Sequence, residues 1–84
     1  MRTQEGGNIW AAINTGKVVL VAENLYEVKV SGQVLQGYPT TANGKCPSLT
    51  ANAGEFIKRV RIGNPYQFSR YAIGTREEVE AYSD

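Results

Sequence analysis

The chain has 84 residues, with nine Lys and Arg, eight Asp and Glu, no histidine and a net charge of +1. That length is one domain. The charge balance predicts no global attraction to nucleic acid or membrane, and it lacks the acidic excess of a DNA mimic. A chain this short hides only about 60–65% of its unfolded surface on folding, so its stability is thin without staples or a partner.

A single cysteine, Cys46, excludes an internal disulfide. The lack of histidine removes His-containing zinc sites, His-activated nucleophiles and the usual general base. No apolar run approaches the roughly 20 residues needed to span a bilayer. The opening Met-Arg-Thr-Gln-Glu-Gly-Gly has no apolar signal region. The expectation is a cytoplasmic chain without a membrane partner.

Residues 1–7 read as a frayed end. Asn8 can cap a short helix over 8–15, in which Ile9 and Ile13 share a face and Gly16 is the stop. A strand through Ile9 and Trp10 is the competing reading. Lys17 to Ala22 is a continuous apolar run of strand length, expected to be covered on both faces. Glu23-Asn24 marks a turn. Tyr26, Val28 and Val30 then alternate with Glu27 and Lys29 as a half-exposed strand. Ser31-Gly32 is a turn dipeptide, and Gln33–Tyr38 reads as a weaker strand interrupted by Gly37.

Pro39–Gly54 reads as a long polar loop, either a surface loop or one ordered by a partner. Phe56–Ile62 alternates again, placing Phe56, Lys58, Val60 and Ile62 on one face and Ile57, Arg59 and Arg61 on the other. Gly63-Asn64-Pro65 turns the chain into a returning strand over 66–73. Thr75 and Glu78 form a capping box, and the helix over 75–82 packs Val79 and Tyr82 on the sheet. Its carboxylates Glu77, Glu78 and Glu80 follow the positive end of the helix dipole.

The stretch 56–73 is the most lopsided part of the chain. It carries Lys58, Arg59, Arg61 and Arg70 with no acid, together with Phe56, Tyr66, Phe68 and Tyr71. Positive charge to follow phosphates and flat rings to stack bases make a single-strand binding surface. The alternative is that the rings are core and the charges a solvated face, offset by the acidic helix. Cys46 lies between Lys45 and Pro47, but without a histidine it has no base to make a catalytic pair. The glycines show no phosphate-loop or dinucleotide spacing. No carboxylate pair flanks a plausible cleft. No catalytic residue, metal site or cofactor site is expected.

Two resemblances add to this reading. The run Ile9-Trp10-Ala11-Ala12-Ile13-Asn14-Thr15-Gly16-Lys17-Val18-Val19, then Asn24-Leu25-Tyr26-Glu27-Val28, resembles a layout of very small phage and mobile-element accessory proteins. Some proteins of this kind switch off host defence, including CRISPR, and the resemblance implies that setting without assigning residue roles. Gly63-Asn64-Pro65-Tyr66 with Phe68 is similar to a short stretch of the single-stranded-DNA-binding proteins of filamentous phages, where the tyrosine lies near the binding groove. There the motif comes early in an all-β chain; here one strand and a helix follow it.

The expected fold is α+β: an antiparallel sheet of four or five strands with a short N-terminal helix and a C-terminal helix. The expected function is that of a non-enzymatic interaction protein that binds and inhibits a host protein or protein–nucleic acid complex. The alternative is a single-strand nucleic-acid module using Lys58, Arg59, Arg61, Tyr66, Phe68, Arg70 and Tyr71. A homodimer would cover exposed sheet edges. A chain stabilised only within a larger assembly is the third reading.

Overall fold

The computed structural model describes residues 1–6, 9–35, 48–62 and 69–83. Its elements in chain order are β1 (Arg2–Gly6), α1 (Trp10–Asn14), β2 (Val18–Ala22), β3 (Leu25–Val28), β4 (Gly32–Leu35), β5 (Leu49–Ala51), β6 (Phe56–Arg61), β7 (Ser69–Gly74) and α2 (Arg76–Ala81). Five strands form one antiparallel sheet in the order β1-β7-β6-β3-β2, and β4 and β5 form a separate two-stranded sheet. The α+β expectation is met in this coarse form. Among the described residues no helix is long and apolar enough to cross a membrane.

Both faces of the five-stranded sheet are apolar at the centre, because alternate residues of a strand point to opposite sides. On one face Tyr71 and Ile73 of β7, Ile57 of β6, Tyr26 and Val28 of β3 and Val18 of β2 are buried. The α1 helix and the β4–β5 hairpin pair cover them through Ile9, Ala12, Val34, Leu35, Leu49 and Ala51. On the other face Val79 of α2 seals Leu25 and Ala72, flanked by half-buried Phe56, Val60 and Tyr82.

The ends of the sequence are more ordered than expected at one side. The residues read as a frayed end include a full strand: β1 pairs with β7 from Arg2–Ile73 to Gly6–Ser69. Its side chains also hold β5, since Arg2 Nη2 donates to the Thr50 carbonyl at 2.9 Å and Gln4 Nε2 to the Ser48 carbonyl at 2.7 Å. These bonds satisfy carbonyls on the open side of a two-stranded sheet. Gly6 lets Leu35 approach so closely that a Cβ there would lie 2.6 Å from its Cδ1. The strand β5 itself falls inside the expected 39–54 loop, and the rest of that loop up to residue 47, with Cys46, lies outside the described residues.

The apolar run at 18–22 is an edge strand, not one covered on both faces. Val18 is buried, while Val19, Leu20 and Val21 are exposed. The Glu23-Asn24 turn is present, with Asn24 at φ 57°, a conformation Asn tolerates better than most residues. The N-terminal helix is shorter than expected, and the expected cap, Asn8, lies outside the described residues. Its stop is as expected: Gly16 has φ +77°. The expected strand over 33–38 is realised as β4 in the small sheet, its last residues outside those described. The returning strand is described from Ser69.

The C-terminal helix forms as the local sequence dictates. Thr75 Oγ1 accepts from the Glu78 N–H at 3.2 Å, and Glu78 Oε1 accepts from the Thr75 N–H at 3.1 Å. Lys58 finishes its other end, its Nζ donating to the carbonyls of Tyr82 at 2.7 Å and Glu80 at 3.3 Å. A six-residue helix cannot hold itself together by propensity. Thr75→Ala removes the cap and should lower unfolding free energy by about 1 kcal/mol, read as a shift of the urea midpoint at unchanged m-value.

Candidate functional site

The basic hairpin does not form the single surface that its sequence suggests. A β-bulge interrupts β6: Arg59 is opposite Tyr71, but Arg61 is opposite Arg70, one residue further along β7 rather than two. The extra residue, Val60, reverses the alternation. Arg59 therefore shares the face of buried Ile57 and Tyr71, whereas Arg61 lies on the face of Lys58 and Arg70. The expectation that Arg59 and Arg61 point the same way fails for this reason.

Each basic side chain is drawn into the fold. The Arg59 N–H donates to the Asn24 carbonyl at 2.9 Å and its Nη2 to Asn24 Oδ1 at 3.3 Å, tying β6 to the β2–β3 turn. Lys58 is spent on the end of α2. Arg61 pairs with Glu5 of β1 at 3.1 Å, and Arg70, lying between them in register, donates to Thr3 Oγ1 at 3.1 Å. Arg61 and Arg70 are thus neighbours on one face, with a carboxylate beside them. An exposed pair such as Arg61–Glu5 is worth about 0–1 kcal/mol, so it costs little to open.

The aromatic half of the recipe is also redistributed. Tyr71 is 1% exposed and belongs to the core. Phe56 is half-buried against α2, with the Arg76 guanidinium 5.7 Å above its ring. Tyr66 and Phe68, with the Gly63-Asn64-Pro65 turn, lie outside the described residues. The carboxylates of α2 do not neutralise the hairpin: Glu80 pairs with Arg76 on its own helix at 3.5 Å, and Glu78 pairs with the Met1 ammonium at 3.4 Å.

An open notch of about 340 Å³ at one end of the sheet is lined by Met1, Arg2, Gly54, Glu55, Ile73, Gly74, Thr75 and Glu78. Its two carboxylates are already engaged. The Asn52 N–H at 2.7 Å holds Glu55 below the usual carboxylate range, helped by Arg2 at 3.2 Å. Backbone and hydroxyl bonds from Thr75, then the Met1 ammonium, lower Glu78 in the same direction. Neither carboxylate is poised to donate a proton near neutral pH. Among the described residues no three His, Cys, Asp or Glu side chains gather as a metal site.

What sequence reasoning missed is apolar. Trp10 is 67% exposed on α1, and Ile13, one turn on, is partly exposed beside it, while Ile9 and Ala12 face the core. In the sequence Trp10 stands only in the competing strand reading and in the run that resembles small phage proteins, and it is not among the candidate site residues. Glu5 and Asn24 were not recognised as arginine partners, because both contacts join distant parts of the chain. Comparison with protein-family models, with curated proteins and with solved structures gives no match.

Two predictions test this placement. Tyr71→Ala should cost about 3–5 kcal/mol of stability, as for other large aromatic truncations in a core, and act through unfolding rather than through a binding surface. For Glu55 the folded pKa is depressed, so its stabilising contribution is present above the ordinary carboxylate range and lost as pH falls through the folded value. Urea midpoints measured at neutral and acid pH should therefore fall less steeply on acidification for Glu55→Gln than for the parent chain.

Proposed function

We propose that this chain is a non-enzymatic interaction protein that binds and inhibits a host macromolecule, in the manner of small phage or mobile-element proteins. The observation that carries this reading is the exposed Trp10–Ile13 stripe on α1. Tryptophan presents a large contact area at small conformational cost and is among the residues that dominate protein interfaces. A helix only five residues long, held by its buried side and offering a tryptophan outward, suits protein contact. The distribution of charge supports the same choice: Arg59 points away from Arg61 and Arg70, and Lys58 is committed to α2. The single-stranded nucleic-acid reading retains one supporting observation, the juxtaposition of Arg61 and Arg70 on one face.

The two readings separate in paired experiments. Fluorescence anisotropy with a labelled single strand of about 20 nucleotides should show no salt-dependent binding. Immobilised chain should capture a stoichiometric protein from bacterial lysate, lose it on Trp10→Ala and keep it on Arg61→Glu. Because Trp10 is the sole tryptophan, its emission should shift to the blue when the captured protein is added back. Salt-sensitive oligonucleotide binding abolished by Arg61→Glu would replace this reading with the nucleic-acid module.

A further inference from the structure

The β4–β5 pair shares no ladder with the five-stranded sheet, and the chain enters and leaves it at the same end. Residues 29–31 lead from β3 into β4, and residues 52–55 lead from β5 into β6. The two connectors lie side by side. The Gly54 N–H donates to the Val28 carbonyl at 2.9 Å, the Val28 N–H to the Glu55 carbonyl at 2.8 Å and the Ala53 N–H to Ser31 Oγ at 2.8 Å. A glycine with positive φ stands at each, Gly32 at +142° where β4 begins and Gly54 at +94° in the second connector. Glycine adopts backbone conformations closed to other residues, and small residues of this kind absorb hinge rotations.

Along its length the pair is held by β1. Near the connectors Arg2 Nη2 donates to the Thr50 carbonyl and Arg2 Nη1 to Glu55. Further out Gln4 Nε2 donates to the Ser48 carbonyl. Gly6 then lies against Leu35, which the register sets beside Leu49 at the end remote from the connectors. The contacts thus run in order from the connectors outward. Both side-chain donors lie at the surface, where water replaces a hydrogen bond at small net cost. Beneath the pair, Val34, Leu35, Leu49 and Ala51 pack on the apolar face that includes Tyr71 and Ile73. That burial keeps the pair seated in all but a small fraction of molecules.

We propose that β4 and β5 form one hinged flap, turning about Gly32 and Gly54 and latched by Arg2 and Gln4 of β1. Lifting it uncovers the face that includes Tyr71 and Ile73, an apolar surface that the latched state hides. The five-stranded sheet and α2 stay folded, because neither the ladders of that sheet nor the cluster around Val79 includes the flap. A two-stranded pair is marginal by itself in water, so once lifted it loses the protection of its ladder amides. The flap does not depend on the proposed partner of Trp10.

The test is native-state amide exchange at increasing urea below the unfolding transition. In the parent chain the ladder amides of β4 and β5 should share one opening, about tenfold or more ahead of the β3 and β6 amides. Its urea slope should be above zero but smaller than that of global unfolding, because only part of the core is exposed. Gln4→Ala breaks a latch bond and should speed β4–β5 exchange about threefold to tenfold. Val79→Ala weakens only what stays folded when the flap lifts. It should speed β3 and β6 about tenfold and leave β4 and β5 at parent rates. Exchange of β4, β5, β3 and β6 as a single unit in the parent chain overturns the inference. So does β4–β5 exchange that is insensitive to urea, which is local fraying. A Val79→Ala variant that speeds both sets alike, or a Gln4→Ala variant that leaves β4 and β5 unchanged, overturns it as well.

Discussion

Strand β7 is hydrogen-bonded on both sides, to β1 and to β6, and the rest of the molecule is arranged over the two faces of that three-stranded centre. Tyr71 and Ile73 point to one face and Ala72 to the other, and all three are closed to solvent. Burial of such side chains stabilises by roughly 1.5–3 kcal/mol each, but only if something lies over them. One face receives α1 and the small β4–β5 sheet; the other receives α2. Covering two faces with so few residues explains why both helices are short and why their ends are finished by side chains from elsewhere, as Lys58 finishes α2.

The same shortage of chain accounts for the use made of charge. Arg2 is bonded to the Thr50 carbonyl of β5 and Gln4 to the Ser48 carbonyl just before it, Arg59 to the turn at Asn24, and Arg61 to Glu5. In a larger protein such contacts would be minor against the size of the core. Here they help to orient the small β4–β5 sheet and the β2–β3 turn against the five-stranded sheet, beside the apolar contacts of the core. What remains outward on α1 and β2 includes the large apolar side chains of Trp10, Ile13, Val19, Leu20 and Val21.

The elements that could be read from the residues alone are those whose determinants lie close in sequence. The capping box of α2 spans Thr75 to Glu78, the β2–β3 turn is Glu23-Asn24, and the stop of α1 is Gly16. The alternation of Tyr26 and Val28 with Glu27 is likewise local, and it marked β3. In each case a few neighbouring residues choose the backbone conformation before any distant contact forms, so the coarse α+β character followed from the chain itself, while β1 ahead of α1 did not.

Strand β1, the bulge and the order of the strands were decided elsewhere. Residues 2–5 are polar on both sides, so no periodicity marks them; they become a strand because β7, some 67 residues away at the Thr3–Arg70 contact, offers a ladder. One extra residue at Val60 separates Arg59 from Arg61, and the register with β7 that creates it is a property of the assembled sheet. The apolar run 18–22 specifies a strand but not its neighbours. The sequence by itself determined α2 and its cap, the β2–β3 turn, the stop of α1 and the strand character of β2, β3 and β6, because those choices rest on local backbone and side-chain energetics. The tertiary structure alone decided which faces and edges meet, because register and strand order are set by pairing between distant segments.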